Sequence, residues 1–352
     1  MTLLLVSLTF TSPTKVASIE LPSTSDIQIL ILVADFFGWN YFDAKEYLES
    51  WGVNVTTVAY SLDYDIDSCL NREPRPIVAD LLISEMTPEM ISQFDSLLIT
   101  SGGHWAGLVA NETVLNFISM TYDLGLIVGS ICTGTRVVAE ANDIVNGSKV
   151  VSFTLSSPQM VEAGAKPIYG VEAVADGRII TGGRGGGTGG EGWFEAPTSE
   201  TCAEIVRSVL GLSRVNRSLV SPYKGPEGTN FTITMEISNL NDTLGDILST
   251  SVDRVTAEIY AFGNRTLVDT IELIDDNQDG NYTGNFIGLF DGDYVVDLEI
   301  EDSNETIEVV RELESFAVGV EPTKPIDIVL VSTITGGSVI IILLVVALVK
   351  KK

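Results

Sequence analysis

The chain is predicted to fold as a parallel-sheet α/β domain followed by an all-β module and one membrane-spanning helix, and three observations predict this. Apolar runs without polar alternation recur between amphipathic segments over residues 27–212. Alternating strands punctuated by Gly, Asn and Asp fill residues 219–318. An uncharged run of 22 residues extends from Ile328 to Val349.

In the first region the runs Ile27–Ala34, Val53–Ala59, Asp95–Thr100 and Leu126–Ile131 are expected as strands. Their uniform apolarity is that of parallel strands covered by helices on both faces. The segments Tyr41–Trp51, Glu112–Tyr122 and Thr133–Ala141 alternate with them as helices, which gives a βαβα rhythm. Lys149–Phe153 is a further strand, and Val171–Ala175 pairs with Arg178–Thr181 about the turn Asp176-Gly177. The helix Ser199–Leu210 ends the domain at Gly211.

From about residue 219 the period changes. Thr232–Ile237, Arg254–Ala261, Leu267–Leu273, Tyr294–Ile300 and Ile307–Glu314 alternate at short spacing, as strands of a sandwich do. A module of this size suits an immunoglobulin-like sandwich, without the Cys and Trp hallmarks of antibody domains. Residues 319–327 are expected as a stalk.

The run 328–349 spans roughly 33 Å as a helix, enough for a bilayer core. Lys350, Lys351 and Lys352 follow it and assign residues 350–352 to the cytoplasm. Leu3–Phe10, followed by small residues through Ala17 and Ser18, gives residues 1–18 the character of a signal peptide, although no basic residue precedes the run. Export is supported independently by Asn-x-Ser/Thr sequons at Asn54, Asn111, Asn146, Asn216, Asn230, Asn241, Asn264, Asn281 and Asn304. About two would arise by chance. The expected molecule is a single-pass cell-membrane glycoprotein with both folded regions outside. Its 20 basic against 48 acidic residues argue against a nucleic-acid partner.

The chemistry centres on Gly125–Arg136, where an apolar strand ends on Cys132 and a helix starts at once. This is the order of a nucleophile elbow, and a thiolate is expected to be favoured at the helix start. Three cysteines are few for a disulfide framework; Cys69 and Cys202 are either paired or two buried thiols. One histidine, His104, offers no zinc motif. The glycine-dense stretch Gly182–Gly192 lacks the Lys-Ser/Thr ending of a phosphate loop. Asp275, Asn277 and Asp279 open like a calcium loop, but Phe286 stands where the bidentate Glu belongs, so the motif is either a hairpin turn or a weak calcium site. No cofactor is expected.

Residues 27–212 resemble the PfpI/ThiJ family, which includes the Parkinson-associated protein deglycase, within the class I glutamine amidotransferase-like (flavodoxin-like) fold. The resemblance is carried by Ser101-Gly102-Gly103-His104, Ile131-Cys132-Thr133-Gly134, Glu162-Ala163-Gly164-Ala165, Asp176-Gly177 and Ile180-Thr181-Gly182-Gly183-Arg184-Gly185. It implies that Cys132 is the reactive residue and that backbone N–H groups at Thr133 and Gly103 form an oxyanion hole. It also implies that Arg184 orients an anion or bridges loops, and that the chain either dimerises as relatives do or is kept from it by membrane tethering and glycans at Asn54 or Asn111.

Two departures stand out. Hydrolytic members have His after the cysteine, where this chain has Thr133, and the helix that supplies a thiol-bonding Glu has Asn40 at that position. Asn cannot exchange a proton, and losing a general base forfeits about two to four orders of magnitude in rate. The expected function is therefore a catalytically degenerate domain whose cysteine serves ligand binding or redox response. The alternative is a cysteine-dependent hydrolase or glyoxalase/deglycase-like enzyme acting on small amides or carbonyls, with His104 as substitute base.

Overall fold

The computed structural model describes residues 23–60, 65–68, 75–151, 157–183, 197–239 and 250–319. The elements of the first region are β1 (Gln28–Val33), α1 (Asn40–Ser50), β2 (Asn54–Ala59), β3 (Asp65–Ile66), β4 (Ile77–Val78), β5 (Leu81–Leu82), α2 (Pro88–Ile91), β6 (Ser96–Ile99) and α3 (Trp105–Val109). They continue with α4 (Glu112–Asp123), β7 (Ile127–Ile131), α5 (Gly134–Ala139), β8 (Lys149–Val151), α6 (Ser157–Glu162), β9 (Lys166–Ile168), β10 (Ala173–Asp176), β11 (Ile179–Gly182) and α7 (Thr198–Val209).

The sheet runs β5-β2-β1-β6-β7-β11-β10. Its pairs are parallel from β5 through β11. The last pair, β10 with β11, is the antiparallel hairpin expected about Asp176-Gly177, with Gly177 at φ +61°. Successive residues of β1 face opposite sides, and both sides are dry. Leu30 and Leu32 pack with Val114, Phe117 and Ile118 of α4. Ile29, Ile31 and Val33 pack with Ala44 and Leu48 of α1 and Ile205 and Val206 of α7. The absence of polar alternation in the sequence follows from this double cover.

The second region contains β12 (Val215–Ser221), β13 (Lys224–Gly225), β14 (Asn230–Ile237), β15 (Val252–Ala261), β16 (Leu267–Leu273), β17 (Asn281–Ile287), β18 (Gly292–Asp302) and β19 (Thr306–Val318). Strands β12-β14-β17 make one antiparallel sheet. Strands β16-β15-β18-β19 make an antiparallel run facing it. Phe231, Ile233 and Met235 from the first share a core with Val255, Ile259, Val296, Leu298 and Phe316 from the second.

The sequence did not show how the two regions join. Strand β19 pairs in parallel with β10, from Ala173 opposite Thr306 to Asp176 opposite Val309, so both regions share one 12-stranded sheet. Charges are paired across this junction. The Asp176 carboxylate accepts from the Lys149 backbone N–H at 2.7 Å and from Arg311 Nε at 2.7 Å. Lys149 sits between Glu258 and Glu299. Arg214, 1% exposed, donates to Asp302 at 2.7 Å and Glu308 at 3.0 Å, and Arg207 lies 3.7 Å from Asp302 and pairs with Glu204 on its own helix.

Among the described residues no helix is long and apolar enough to cross a membrane. The expected signal peptide (1–18), stalk residues 320–327, span (328–349) and tail (350–352) lie outside the described residues, as do Cys69, Arg184 and Asn241.

Candidate functional site

Strand β7 is buried along its length and delivers Cys132 to the carboxyl edge of the sheet. Cys132 has φ +51°, a left-handed conformation that a residue with a Cβ adopts at a cost of about 1–3 kcal/mol. The strain comes from the sharpness of the turn, because α5 starts only two residues later at Gly134. A Cβ on Gly134 would lie 2.4 Å from the Ile99 carbonyl oxygen, so glycine alone lets the helix start this close to β6. The elbow is further held by the Cys132 backbone N–H, which donates to the Gly182 carbonyl at 2.8 Å.

The sulfur does not have the electrostatics the sequence suggested. Burial pushes the Cys132 thiol above its ordinary pKa, outweighing the backbone N–H of Thr133, which donates to the sulfur, and the Arg136 charge. Helix α5 has six residues, and Arg136 lies over the Trp105 ring at 4.3 Å. The expected thiolate preference is thus corrected: a short helix and one stacked cation do not offset desolvation. Cys132 packs against the apolar clusters on both sides, including that of Val151, Val174, Ile307 and Val309.

Thr133 closes the turn. Its hydroxyl accepts from the Gly102 N–H at 2.9 Å and donates to the Gly102 carbonyl at 3.1 Å. Gly102 has φ +134°, and a Cβ there would meet the Gly38 nitrogen at 2.3 Å. The expected donor Gly103 lies in the adjoining turn, where Gly102 is already committed to Thr133.

Asn40 opens α1 and is 7% exposed. Its Oδ1 accepts from Ser101 Oγ at 2.8 Å and from the Ser101 N–H at 3.2 Å, while its Nδ2 is buried with no hydrogen-bond partner. Asn40 therefore joins Cys132 through Ser101, Gly102 and Thr133. Neither Ser101 nor Phe36 was singled out in the sequence as a functional side chain. Phe36 accepts from the His104 N–H at 3.2 Å through its carbonyl, and it has φ +70° with its ring 51% exposed. A second non-glycine residue in left-handed conformation beside Gly102 has no one-dimensional signature.

His104 is the clearest correction. Its ring is 2% exposed. Nδ1 accepts from the Ala34 N–H at 3.2 Å, which leaves Nε2 to donate to the Thr100 carbonyl at 2.9 Å. Burial lowers its pKa to about 4, opposed by the Thr100 carbonyl that accepts from the ring. Both nitrogens are engaged with backbone, so His104 ties β1 to β6 and has none left to serve as a base.

Cys202 is a free thiol, fully buried on α7, and burial raises its pKa strongly. In the β16–β17 turn, Asp275 accepts from the N–H groups of Asp279 (3.1 Å) and Gly280 (2.8 Å), and Asp279 accepts from Asn281 and Asn277. These carboxylates are spent within the turn. Among the described residues no cluster of three or more metal-ligating side chains is present. The sequon residues Asn54, Asn146, Asn216, Asn230, Asn264, Asn281 and Asn304 are exposed. Asn111 is half-buried and caps α4.

A parallel α/β sheet with a strained cysteine at a strand–helix elbow defines the class as the flavodoxin-like fold of the glutamine amidotransferase-like proteins. Within that class, residues 27–189 match the model of the DJ-1/PfpI family and form a DJ-1/PfpI domain. The curated protein DJ-1 homolog D of Arabidopsis thaliana is 34% identical over 94 residues, 26% of this chain and 24% of the relative. The chain thus spans about a quarter of the length of that relative. Among solved structures, a ThiJ/PfpI domain protein from Brachyspira murdochii is 20% identical with a TM-score of 0.43, covering 55% of this chain and 100% of its own. Drosophila melanogaster DJ-1beta is 18% identical with a TM-score of 0.43, covering 53% and 91%.

Proposed function

We propose that this is a membrane-anchored, extracellular glycoprotein whose DJ-1/PfpI domain has lost proton-transfer catalysis and uses the Cys132 site to bind a ligand or respond to oxidation. In this reading the two-sheet region is an immunoglobulin-like sandwich that spaces the domain from the bilayer, residues 328–349 form the span, and glycans are carried on exposed sequons such as Asn54, Asn146 and Asn304. A homodimer is compatible with the family resemblance.

The observation that carries the reading is Asn40. The position that would supply a proton acceptor holds an amide, and its Nδ2–H group is buried without an acceptor. Leaving such a donor unsatisfied costs about 1–3 kcal/mol, which an oxygen of a bound ligand recovers. His104 gives no substitute base, because its ring is committed to Ala34 and Thr100. With a raised thiol pKa, an amide at Asn40 and the His104 ring held by backbone, neither position offers the proton of an attack on stable amides a route. A peroxide needs none: the small thiolate fraction attacks one oxygen, the O–O bond breaks, and hydroxide leaves a sulfenic acid.

The test compares the parent with Cys132→Ala against methylglyoxal and simple amides, with peroxide titration followed by mass spectrometry of the Cys132 peptide. The expected result is no cysteine-dependent turnover and a single added oxygen on Cys132. Turnover that disappears in Cys132→Ala overturns the reading in favour of the deglycase-like enzyme.

A further inference from the structure

The two ends of the β module differ in what they expose. At one end the turn after β18 adjoins the α/β sheet, where the Glu305 carbonyl accepts from the Glu172 N–H at 2.9 Å. The opposite end is fixed by strand register: Gly292 pairs with Val318, Ala261 with Tyr294, Asn230 with Ile287, and Lys224 with Ala317. The turns that follow β12, β15 and β17 therefore meet there, together with Gly319, where the chain leaves the module.

Those three turns and the end of β17 carry Tyr223, Phe262, Ile287, Leu289 and Phe290, which are 74, 65, 55, 62 and 68% exposed. Turns are ordinarily polar, and single exposed apolar residues need no explanation, whereas a cluster of them marks a contact surface. The charges among them, Lys224, Glu227, Arg265, Asp291 and Asp293, are two cations against three carboxylates, and Arg265 is already paired with Asp297 and Glu312, so attraction to an anionic surface is not what this end offers.

We infer that this end of the β module rests on the lipid bilayer, with Tyr223, Phe262, Ile287, Leu289 and Phe290 seated in the interfacial region. The inference rests on the reading of residues 328–349 as a span, and the occupant follows from where the chain goes next. Residues 320–327 are all that separate Gly319 from that run, and eight residues reach at most about 29 Å when fully extended. Aromatic side chains with aliphatic neighbours are the residues that partition into a membrane interface by apolar burial. The proposal also divides the sequons. Asn230 pairs with Ile287 and Asn264 lies two residues from Phe262, so a glycan on either would hold this end away from lipid, and both are expected to be unmodified.

The experiment reconstitutes the full chain in phosphatidylcholine vesicles containing lipids brominated high on the acyl chain. It compares Phe290→Trp with Val161→Trp, an exposed α6 position in the α/β domain. The expected result is at least twofold more bromolipid quenching of the added tryptophan at 290 than at 161. Equal quenching in protein that co-floats with vesicles overturns the docking and leaves the anchor standing, whereas protein that does not co-float overturns both. A glycan found on Asn230 or Asn264 of the natively expressed chain, or a dimer cross-linked through Phe290, also overturns it.

Discussion

The elbow at Cys132 and the junction between the two regions are both crowded with polar groups, but they treat them in opposite ways. At the junction the buried charges of Asp176, Lys149, Arg207, Arg214 and Asp302 all meet opposite charges. At the elbow the Asn40 Nδ2 is left unpaired, a thiol is desolvated above its ordinary pKa, and two non-glycine residues adopt left-handed backbone. Opposite charges meeting on every carboxylate make a rigid joint, with Arg214 Nε alone of its guanidinium nitrogens left without a partner. Unsettled groups held by rigid neighbours make a site that gains free energy when something binds.

The largest way to break this comparison is at the joint. Asp302 is 1% exposed and faces both Arg207 and Arg214, so Asp302→Ala leaves two guanidinium groups competing for Glu204 and Glu308. Removing one member of such a buried set costs about 3–5 kcal/mol. The check is urea unfolding monitored separately in each region. Parent protein should unfold in one transition, whereas Asp302→Ala should lower the midpoint and separate the β-module transition from that of the α/β domain. Coincident curves with an unshifted midpoint would show that the junction is incidental to the fold.

That joint is also where the sequence was least legible. The helix–strand rhythm of residues 27–212 was readable because burial on both faces leaves a compositional trace in segments such as Ile29–Val33. The elbow was readable because a strand, a lone cysteine and a helix start occur in immediate succession. The pairing of β10 with β19 joins residues more than 130 positions apart, and no local pattern encodes it. Arg311 and Asp302 look like ordinary surface charges in one dimension. His104 failed for a related reason: its position beside the glycine pair suggested a site, but its burial against Ala34 and Thr100 is set by three-dimensional packing. Asn40 was found through the family resemblance, while its unpaired Nδ2 became visible only with the coordinates.

A second effect sharpens the contrast between a settled and an unsettled group. In the unfolded chain His104 titrates near about 6.5, whereas in the fold burial holds it at about 4. Between those values the unfolded chain binds a proton that the folded chain refuses. Its contribution to stability is therefore complete above the unfolded value and is lost as pH falls through the window, by about 3 kcal/mol in total. In His104→Gln the amide can accept from Ala34 and donate to Thr100 without titrating. Unfolding midpoints at pH 7 and pH 4.5 should show the parent losing about 2 kcal/mol more than the variant, the carboxylates being common to both. Equal losses would mean that the ring is not held neutral.

The smallest expected effect separates the two described cysteines. Cys202 lies in the interior of α7 at 0% exposure. Glycine there loses the buried side chain and about 1 kcal/mol of helix propensity, for a total of about 2 kcal/mol. Cys132 stands at φ +51°, where glycine relieves left-handed strain of about 1–3 kcal/mol. That relief offsets the lost contacts and the greater freedom of the unfolded chain, so Cys132→Gly should remain within about 1 kcal/mol of the parent. Thermal unfolding of both variants measures the difference. If Cys132→Gly destabilises as much as Cys202→Gly, the elbow is not strained, and Cys132 is a packing residue like its counterpart on α7. If the difference has the expected sign, the fold maintains a cysteine at a position where glycine would serve it equally well, and the reason for the sulfur lies in what it contacts from outside.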